Sequence, residues 1–165
     1  MAMVSAVAYR QTLTILLVIS VGNKAAASNN QCKDSCMTHW EEKYNSCYRF
    51  FPEPTTWRTA EDTCIFFGGN LASLHNEETT HFLIRLTGST SNKLVRSWIG
   101  GKDMEKEGTF VWTDGTHFSY ENWAPSKPDG KENENCLTIN SGEAGQWNDA
   151  DCAKLFPYIC SYKLL

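Results

Sequence analysis

Seven cysteines in 165 residues constrain this chain more than any other feature, because the number is odd and every one lies beyond residue 31. Residues 1–27 read as a secretory signal peptide. Arg10 supplies a weakly basic start, 12–21 is an apolar run, and Ala25-Ala26-Ala27 meets the small-residue rule for cleavage near Ala27/Ser28. The run is far shorter than the ~20 apolar residues of a membrane span, and no second run follows. The mature chain is therefore expected to be exported and soluble. In an oxidising compartment cysteines pair as disulfides rather than bind zinc. No Cys-x-x-Cys spacing occurs, and His39, His75, His81 and His117 are dispersed, which argues against a zinc site. Three internal bridges use six cysteines and leave one over.

Size and charge exclude further classes. The chain is about one domain long. That is too short for a cofactor domain joined to a substrate domain. Without Arg10 and Lys24 the mature chain carries 13 basic and 19 acidic residues, net −6, with the basic ones scattered. A nucleic-acid binder of this size would show a basic stripe.

Two stretches have helical periodicity. In 57–67, Trp57, Ala60, Cys64 and Phe67 share a face, Thr55 or Thr56 can cap, and Gly68-Gly69 ends the run. From Asn76 to about Thr87, Phe82, Leu83 and Leu86 face inward and Gly88 terminates. A strand is expected at 47–51, ended by Pro52 and Pro54. Short strand-like pieces follow at 98–100, 110–112, 137–139 and 158–160, with Asp114-Gly115 as a tight turn. Residues 119–136 form a long loop rich in Pro, Gly, Asn and charge, a length that is usually functional or disordered, and Trp123, Pro125 and Pro128 argue for an ordered one.

In this order and spacing the residues resemble a C-type lectin-like domain over 36–162. The resemblance rests on Cys36-Met37-Thr38-His39-Trp40, Ser46-Cys47-Tyr48, Trp57…Ala60…Cys64 and Leu71-Ala72-Ser73-Leu74. It continues through Trp98-Ile99-Gly100-Gly101, Phe110-Val111-Trp112-Thr113-Asp114-Gly115, Tyr120…Asn122-Trp123 and Lys127-Pro128-Asp129. Glu134-Asn135-Cys136, Trp147-Asn148-Asp149…Cys152 and Tyr158-Ile159-Cys160 complete it. It implies an α+β double-loop fold, with two helices and two small antiparallel sheets, stapled by disulfides. Cys64–Cys160, Cys136–Cys152 and Cys36–Cys47 are the implied pairs, and the first is worth about 4–5 kcal/mol in the chain-entropy model. The implied organisation is a signal peptide at 1–27, a polar leader at 28–35 and a carbohydrate-recognition domain at 36–165. Cys32 in the leader is then left for an interchain bond. A capped thiol, or competition with Cys36 for Cys47, is the alternative.

In sugar-binding members of that family, a Pro-containing triplet, an acid before the third Cys and an Asn-Asp pair hold calcium and the sugar. The matching positions are Lys127, Asp129, Glu134, Asn148 and Asp149. Calcium wants six to eight oxygen ligands. Asp129, Glu134, Asn148 and Asp149 supply oxygen, but the Lys127 ammonium has no lone pair. A unit charge about 4 Å from a divalent ion costs on the order of 8 kcal/mol at an effective dielectric of ~20. Lys127 therefore impairs the principal calcium position: it must swing away, or calcium must be absent, in which case the ammonium neutralises part of the charge gathered by Asp129, Glu134 and Asp149. Asp103 and Glu107 match a weaker auxiliary calcium position, although the alternating charges of 102–107 are read preferentially as a turn facing water.

The expected function is that of a secreted lectin similar to invertebrate, bivalve-type lectins with a basic residue before Pro-Asp. It would bind N-acetylhexosamines or galactose-type sugars on cell or microbial surfaces, with reduced or absent calcium dependence. As a Cys32-linked dimer it would agglutinate cells in innate defence through avidity. The alternative is a protein- or mineral-binding use of the same fold. No nucleophile-base motif or reaction cleft is visible, so the chain is not expected to be an enzyme. Trp57, Trp98, Trp112 and Trp147 are expected in the core; Trp123 and His117 are not placed by the sequence.

Overall fold

The computed structural model describes residues 35–130 and 135–165. Its elements run β1 (Glu41–Lys43), β2 (Ser46–Thr55), α1 (Trp57–Phe66), β3 (Asn70–Leu71), α2 (Glu77–Leu86), β4 (Ser97–Lys102), β5 (Val111–Trp112), β6 (Cys136–Ile139), β7 (Trp147–Ala150) and β8 (Phe156–Lys163).

Both helices start and stop where local chemistry dictates. The Thr56 hydroxyl accepts from the Thr59 N–H at 3.3 Å and caps α1. Asn76 does the same for α2, accepting from Thr79 N at 2.8 Å, with Glu77 and Glu78 in the positive first turn. Each chain exit uses a glycine with positive φ, Gly68 at 84° and Gly88 at 68°. One face of α1 is buried through Trp57, Ala60, Glu61 and Cys64. Glu61 is the one acid on that face. Its carboxylate accepts from Asn70 Nδ2 at 2.7 Å and Leu71 N at 2.8 Å, fastening α1 to β3.

The strands form one eight-stranded sheet in the order β1-β2-β8-β4-β6-β7, with β3 on β8 and β5 on β4. The two sheets implied by the resemblance correspond to β1, β2, β3 and β8, and to β4 through β7. The parallel pairing of Trp98 with Tyr158 joins them. The long antiparallel pair of β2 with β8 runs from Ser46↔Lys163 to Phe51↔Tyr158 and brings the two ends of the domain together. Strand β2 does not end at Pro52 as expected. Its register with β8 shifts between Phe51 and Thr55, so Pro52 and Pro54 lie where no ladder N–H is required.

The three disulfides are Cys36–Cys47, Cys64–Cys160 and Cys136–Cys152. All six half-cystines pack in one apolar cluster with Trp40, Trp57, Leu71, Trp98 and Tyr158. A second cluster holds Leu83, Ile99, Phe110, Trp112, Leu137, Ile139, Trp147 and Ile159. The four tryptophans expected in the core are all buried, and Trp40 joins them. Glycine allows closest approach in β4. A Cβ on Gly101 would lie 2.2 Å from Leu137 Cδ1, and one on Gly100 would lie 2.4 Å from the Leu71 carbonyl oxygen. Among the described residues, no helix is long and apolar enough to cross a membrane.

Candidate functional site

The site grows from β7. Strand status was not legible in Trp147-Asn148-Asp149-Ala150, whose polar middle reads as surface. All four residues are nevertheless buried. The inner edge of β7 pairs with β6, and its outer edge is covered by the 122–124 segment. There Trp147 N donates to Asn122 O at 2.7 Å and Ala124 N donates to Trp147 O at 2.9 Å. The Asn122 side chain donates to Gly145 O at 3.0 Å and steadies the same crossing. Beneath it the Trp123 ring lies 4.9 Å from Phe110 and 5.8 Å from Trp147. An aromatic floor thus supports a polar rim.

The rim is the 124–130 turn. Lys127 N donates to Ala124 O at 3.0 Å, Ser126 has φ 63°, the Lys127-Pro128 peptide is cis, and Gly130 has φ 61°. Asp149 then anchors the far side of the turn. Its Oδ2 accepts from Asp129 N at 3.1 Å and from Gly130 N at 3.4 Å. Its Oδ1 is buried and accepts no hydrogen bond. An ionised carboxylate facing two amide donors is the stronger class of hydrogen bond. The turn is thus positioned by a side chain on the neighbouring strand and does not depend on its own sequence alone.

Lys127 and Asp129 face each other across Pro128. The ammonium Nζ is 2.8 Å from Asp129 Oδ1, and both side chains are only 25% and 30% exposed. The lysine therefore does not swing away from the cluster, and it occupies one of the two Asp129 oxygens. Asn148, also buried, donates its side-chain N–H to the Asp149 carbonyl, while its own carbonyl accepts from Thr138 Oγ1 at 3.1 Å. Lys127, Asp129, Asn148 and Asp149 thus meet at one place. Glu134 lies outside the described residues, as do Cys32 and the 1–27 segment. Among the described residues, no group of three or more His, Cys, Asp or Glu is arranged to hold a metal ion. The cluster offers carboxylate and amide acceptors with one ammonium donor, a set suited to a hydroxyl-rich ligand.

The auxiliary pair differs from the preferred expectation of a turn in water. Asp103 is 3% exposed. Its Oδ2 accepts from Gly108 N at 2.8 Å, its carbonyl accepts from Lys106 N at 3.1 Å, and its N–H donates to Asn135 O at 3.2 Å. Burial follows because this carboxylate closes the 103–108 loop from inside, while Glu105, Lys106 and Glu107 are exposed. A Cβ on Gly130 would sit 3.8 Å from Glu107 Oε1, so the loop borders the 127–130 turn. His117 is exposed, and Trp123 is half-buried with its N–H donated to Glu121 Oε2 at 3.2 Å. Sequence reasoning missed the Thr138, Asn122 and Glu121 partners. Their only prior signal was polarity beside an aromatic motif.

Comparison with known proteins gives the family and the fold. Residues 53–162 match the family model described as the lectin C-type domain. A lectin of Pleurodeles waltl is 34% identical over 93% of this chain and 92% of its own length. The galactose-specific lectin nattectin of Thalassophryne nattereri is 33% identical over 93% and 96%, and an alpha-N-acetylgalactosamine-specific lectin of Patiria pectinifera 32% over 88% and 93%. Among solved structures, the herring type II antifreeze protein superposes with a TM-score of 0.73 at 34% identity. That match covers 79% of this chain and 100% of the other. A calcium-independent type II antifreeze protein superposes at 0.72 with 27% identity, covering 79% and 96%.

Proposed function

The chain belongs to the C-type lectin domain family, and on that basis we propose that it is a secreted carbohydrate-binding protein and not an enzyme. In this reading 1–27 is removed on export, and Lys127, Asp129, Glu134, Asn148 and Asp149 bind one sugar. N-acetylhexosamines and galactose-type sugars are the preferred ligands. The galactose- and N-acetylgalactosamine-specific relatives support that choice. Asp129 and Asn148 accept from sugar hydroxyls, Lys127 donates to a ring or acetamido oxygen, and Asp149 holds the turn that carries them. A hydroxyl-rich ligand satisfies both kinds of group at once, which an apolar ligand would leave unpaired at a cost of roughly 1–3 kcal/mol each.

The observation that carries the reading is the 2.8 Å contact of Lys127 with Asp129. Family members commonly hold calcium at this place. The present donor set does not fit it, because an ammonium occupies an oxygen the ion would need and brings a like charge with it. Sugar binding here has little or no calcium dependence. Asp103 and Glu107 remain a weaker cation position, since the buried Asp103 Oδ1 accepts no hydrogen bond. A single shallow site binds weakly. A Cys32-linked pair gains avidity and can agglutinate cells or microbes in innate defence.

A glycan array probed with the mature protein tests this, once with calcium and once with EDTA. Signals on N-acetylhexosamine or galactose-terminated glycans in both conditions are expected. A second reading, protein, mineral or ice binding through the same fold, draws on the antifreeze structures. A blank array together with thermal hysteresis or partner capture would favour it.

A further inference from the structure

We propose that the polar cavity between the ends of β2, β3 and β8 is a second saccharide site, sized for one sugar residue. The class of ligand rests on the carbohydrate reading above, but the two sites share no residue. The cavity measures about 220 Å³ and is walled on one side by Ser73 and Asp114. Pockets for drug-sized ligands begin at about 300 Å³, so this one suits a single ring. Strands β4 and β6 separate β8 from β7. Three strand steps of about 4.8 Å set the two sites about 14 Å apart across the sheet.

Strand register builds the floor. Ser46 of β2 faces Lys163 of β8, Tyr48 faces Ser161, and Asn70 of β3 faces Ser161 from the other side. Register partners share a face of the sheet. The next pair along that face, Phe50 with Ile159, belongs to the second apolar cluster. The face therefore turns from apolar to polar at Tyr48, where the cavity opens. A Cβ on Gly69 would lie 2.0 Å from the Ser161 carbonyl oxygen, so glycine is what lets the 68–70 wall close on β8.

The groups facing the cavity are fixed and complementary. Tyr48 is 7% exposed. Burial pushes its hydroxyl pKa up, a hydrogen bond with the Ser46 side chain opposes this, and the Asp114 carboxylate adds to it. The phenol therefore stays a neutral donor. Asp114 Oδ1 accepts from Thr116 N at 2.9 Å and from Thr116 Oγ1, and its Oδ2 accepts from Ser73 Oγ at 2.6 Å. Both hydroxyls spend their single proton there. His75 Nε2, 3.1 Å from Ser73 Oγ and 3.2 Å from Thr116 Oγ1, is then the donor to both. A carboxylate has about four acceptor positions; three are filled, and one remains on Oδ2. Among the described residues, Ser161 Oγ and Lys163 Nζ have no hydrogen-bond or ion-pair partner.

Charge selects the ligand. Asp114 and Lys163 have opposite signs, so an ion of either sign meets one like charge. A neutral ring with several hydroxyls gives a proton to Asp114, accepts from Tyr48 and Lys163, and exchanges with Ser161. Every group is then paired on desolvation. Two such sites let one chain bridge two glycans without a second copy, with the gain in avidity that follows.

Isotope-labelled mature protein should be titrated with galactose and with N-acetylgalactosamine in calcium-containing buffer, following backbone amide shifts by NMR in wild type, Ser161→Leu and Lys163→Ala. Two groups of amides are expected to shift with separate saturation curves, one at 127–130 and 148–149, the other at 69–73, 113–116 and 161–163. Ser161→Leu fills the cavity and should erase the second group. Lys163→Ala, at an exposed strand end, should raise the Kd of the second group roughly tenfold by removing a charged donor. It decides alone where Ser161→Leu does not fold. A second group that stays still at the solubility limit of both sugars, or that shifts alike in all three proteins, overturns the proposal. Shifts of the first group alone overturn it and leave the Lys127 site standing. Shifts of the second group alone uphold it and remove the Lys127 site.

Discussion

Replacing Lys127 by Glu tests the role of the ammonium most sharply. Lys127 Nζ lies 2.8 Å from Asp129 Oδ1. A calcium ion ligated by that oxygen at about 2.4 Å would lie no more than about 5.2 Å from the ammonium. At that separation the repulsion between charges of +1 and +2 is about 1.6 kcal/mol at the dielectric of water and about 6.4 kcal/mol at an effective value of ~20. The side chains are about a quarter to a third exposed, which places the true cost between those limits. Removing the ammonium alone should therefore tighten calcium binding by roughly fifteenfold at the least. A carboxylate at 127 supplies an additional ligand and increases the gain. Titration calorimetry of calcium into wild type, Lys127→Gln and Lys127→Glu reads this directly. In the absence of calcium, Lys127→Glu gathers like charges around Asp129, so its Tm should fall and calcium should restore it. Equal calcium affinity in wild type and Lys127→Glu would refute the electrostatic reasoning.

Other perturbations follow from the same geometry. Asp149→Ala removes the acceptor of the Asp129 and Gly130 amides, leaving them without their partner at roughly 1–3 kcal/mol. Chemical denaturation should show that loss, and sugar titration should show binding abolished. Removing Cys64–Cys160, whose partners are 96 residues apart, should cost about 4.7 kcal/mol by the chain-entropy relation, visible as a large fall in the denaturation midpoint. Gly101→Ala places a methyl 2.2 Å from Leu137 Cδ1, and should destabilise by about 1–3 kcal/mol as overpacking. Glu61→Ala removes an acceptor of Asn70 Nδ2 and the acceptor of Leu71 N and should lower Tm by several degrees, while sugar binding by the folded fraction stays intact.

The legible parts of this fold are those set by local rules. Thr56, Asn76, Gly68 and Gly88 mark helix ends through groups that only helix termini leave unpaired. The buried tryptophans followed from apolar surroundings. The disulfide partners needed the family resemblance, because cysteine spacing leaves many connectivities open. What escaped depends on tertiary partners. Trp147-Asn148-Asp149-Ala150 is a strand because the 122–124 segment and the Asp129 and Gly130 amides cover and satisfy it. Pro52 and Pro54 remain in β2 because a register shift relieves the ladder. Asp103 sits in an alternating-charge run, yet its own loop folds around it. For Lys127 the sequence exposed the missing lone pair but not the partner. Asp129 is that partner because the 124–130 turn sets both side chains on one rim.

If the site recognises sugar with its own acceptors and its ammonium, calcium is dispensable to it. Titration of N-acetylgalactosamine and N-acetylglucosamine into the mature protein, first in calcium and then in excess EDTA, reads this. Closely similar heat and affinity are expected in both buffers. Complete loss of binding in EDTA would overturn a calcium-free site.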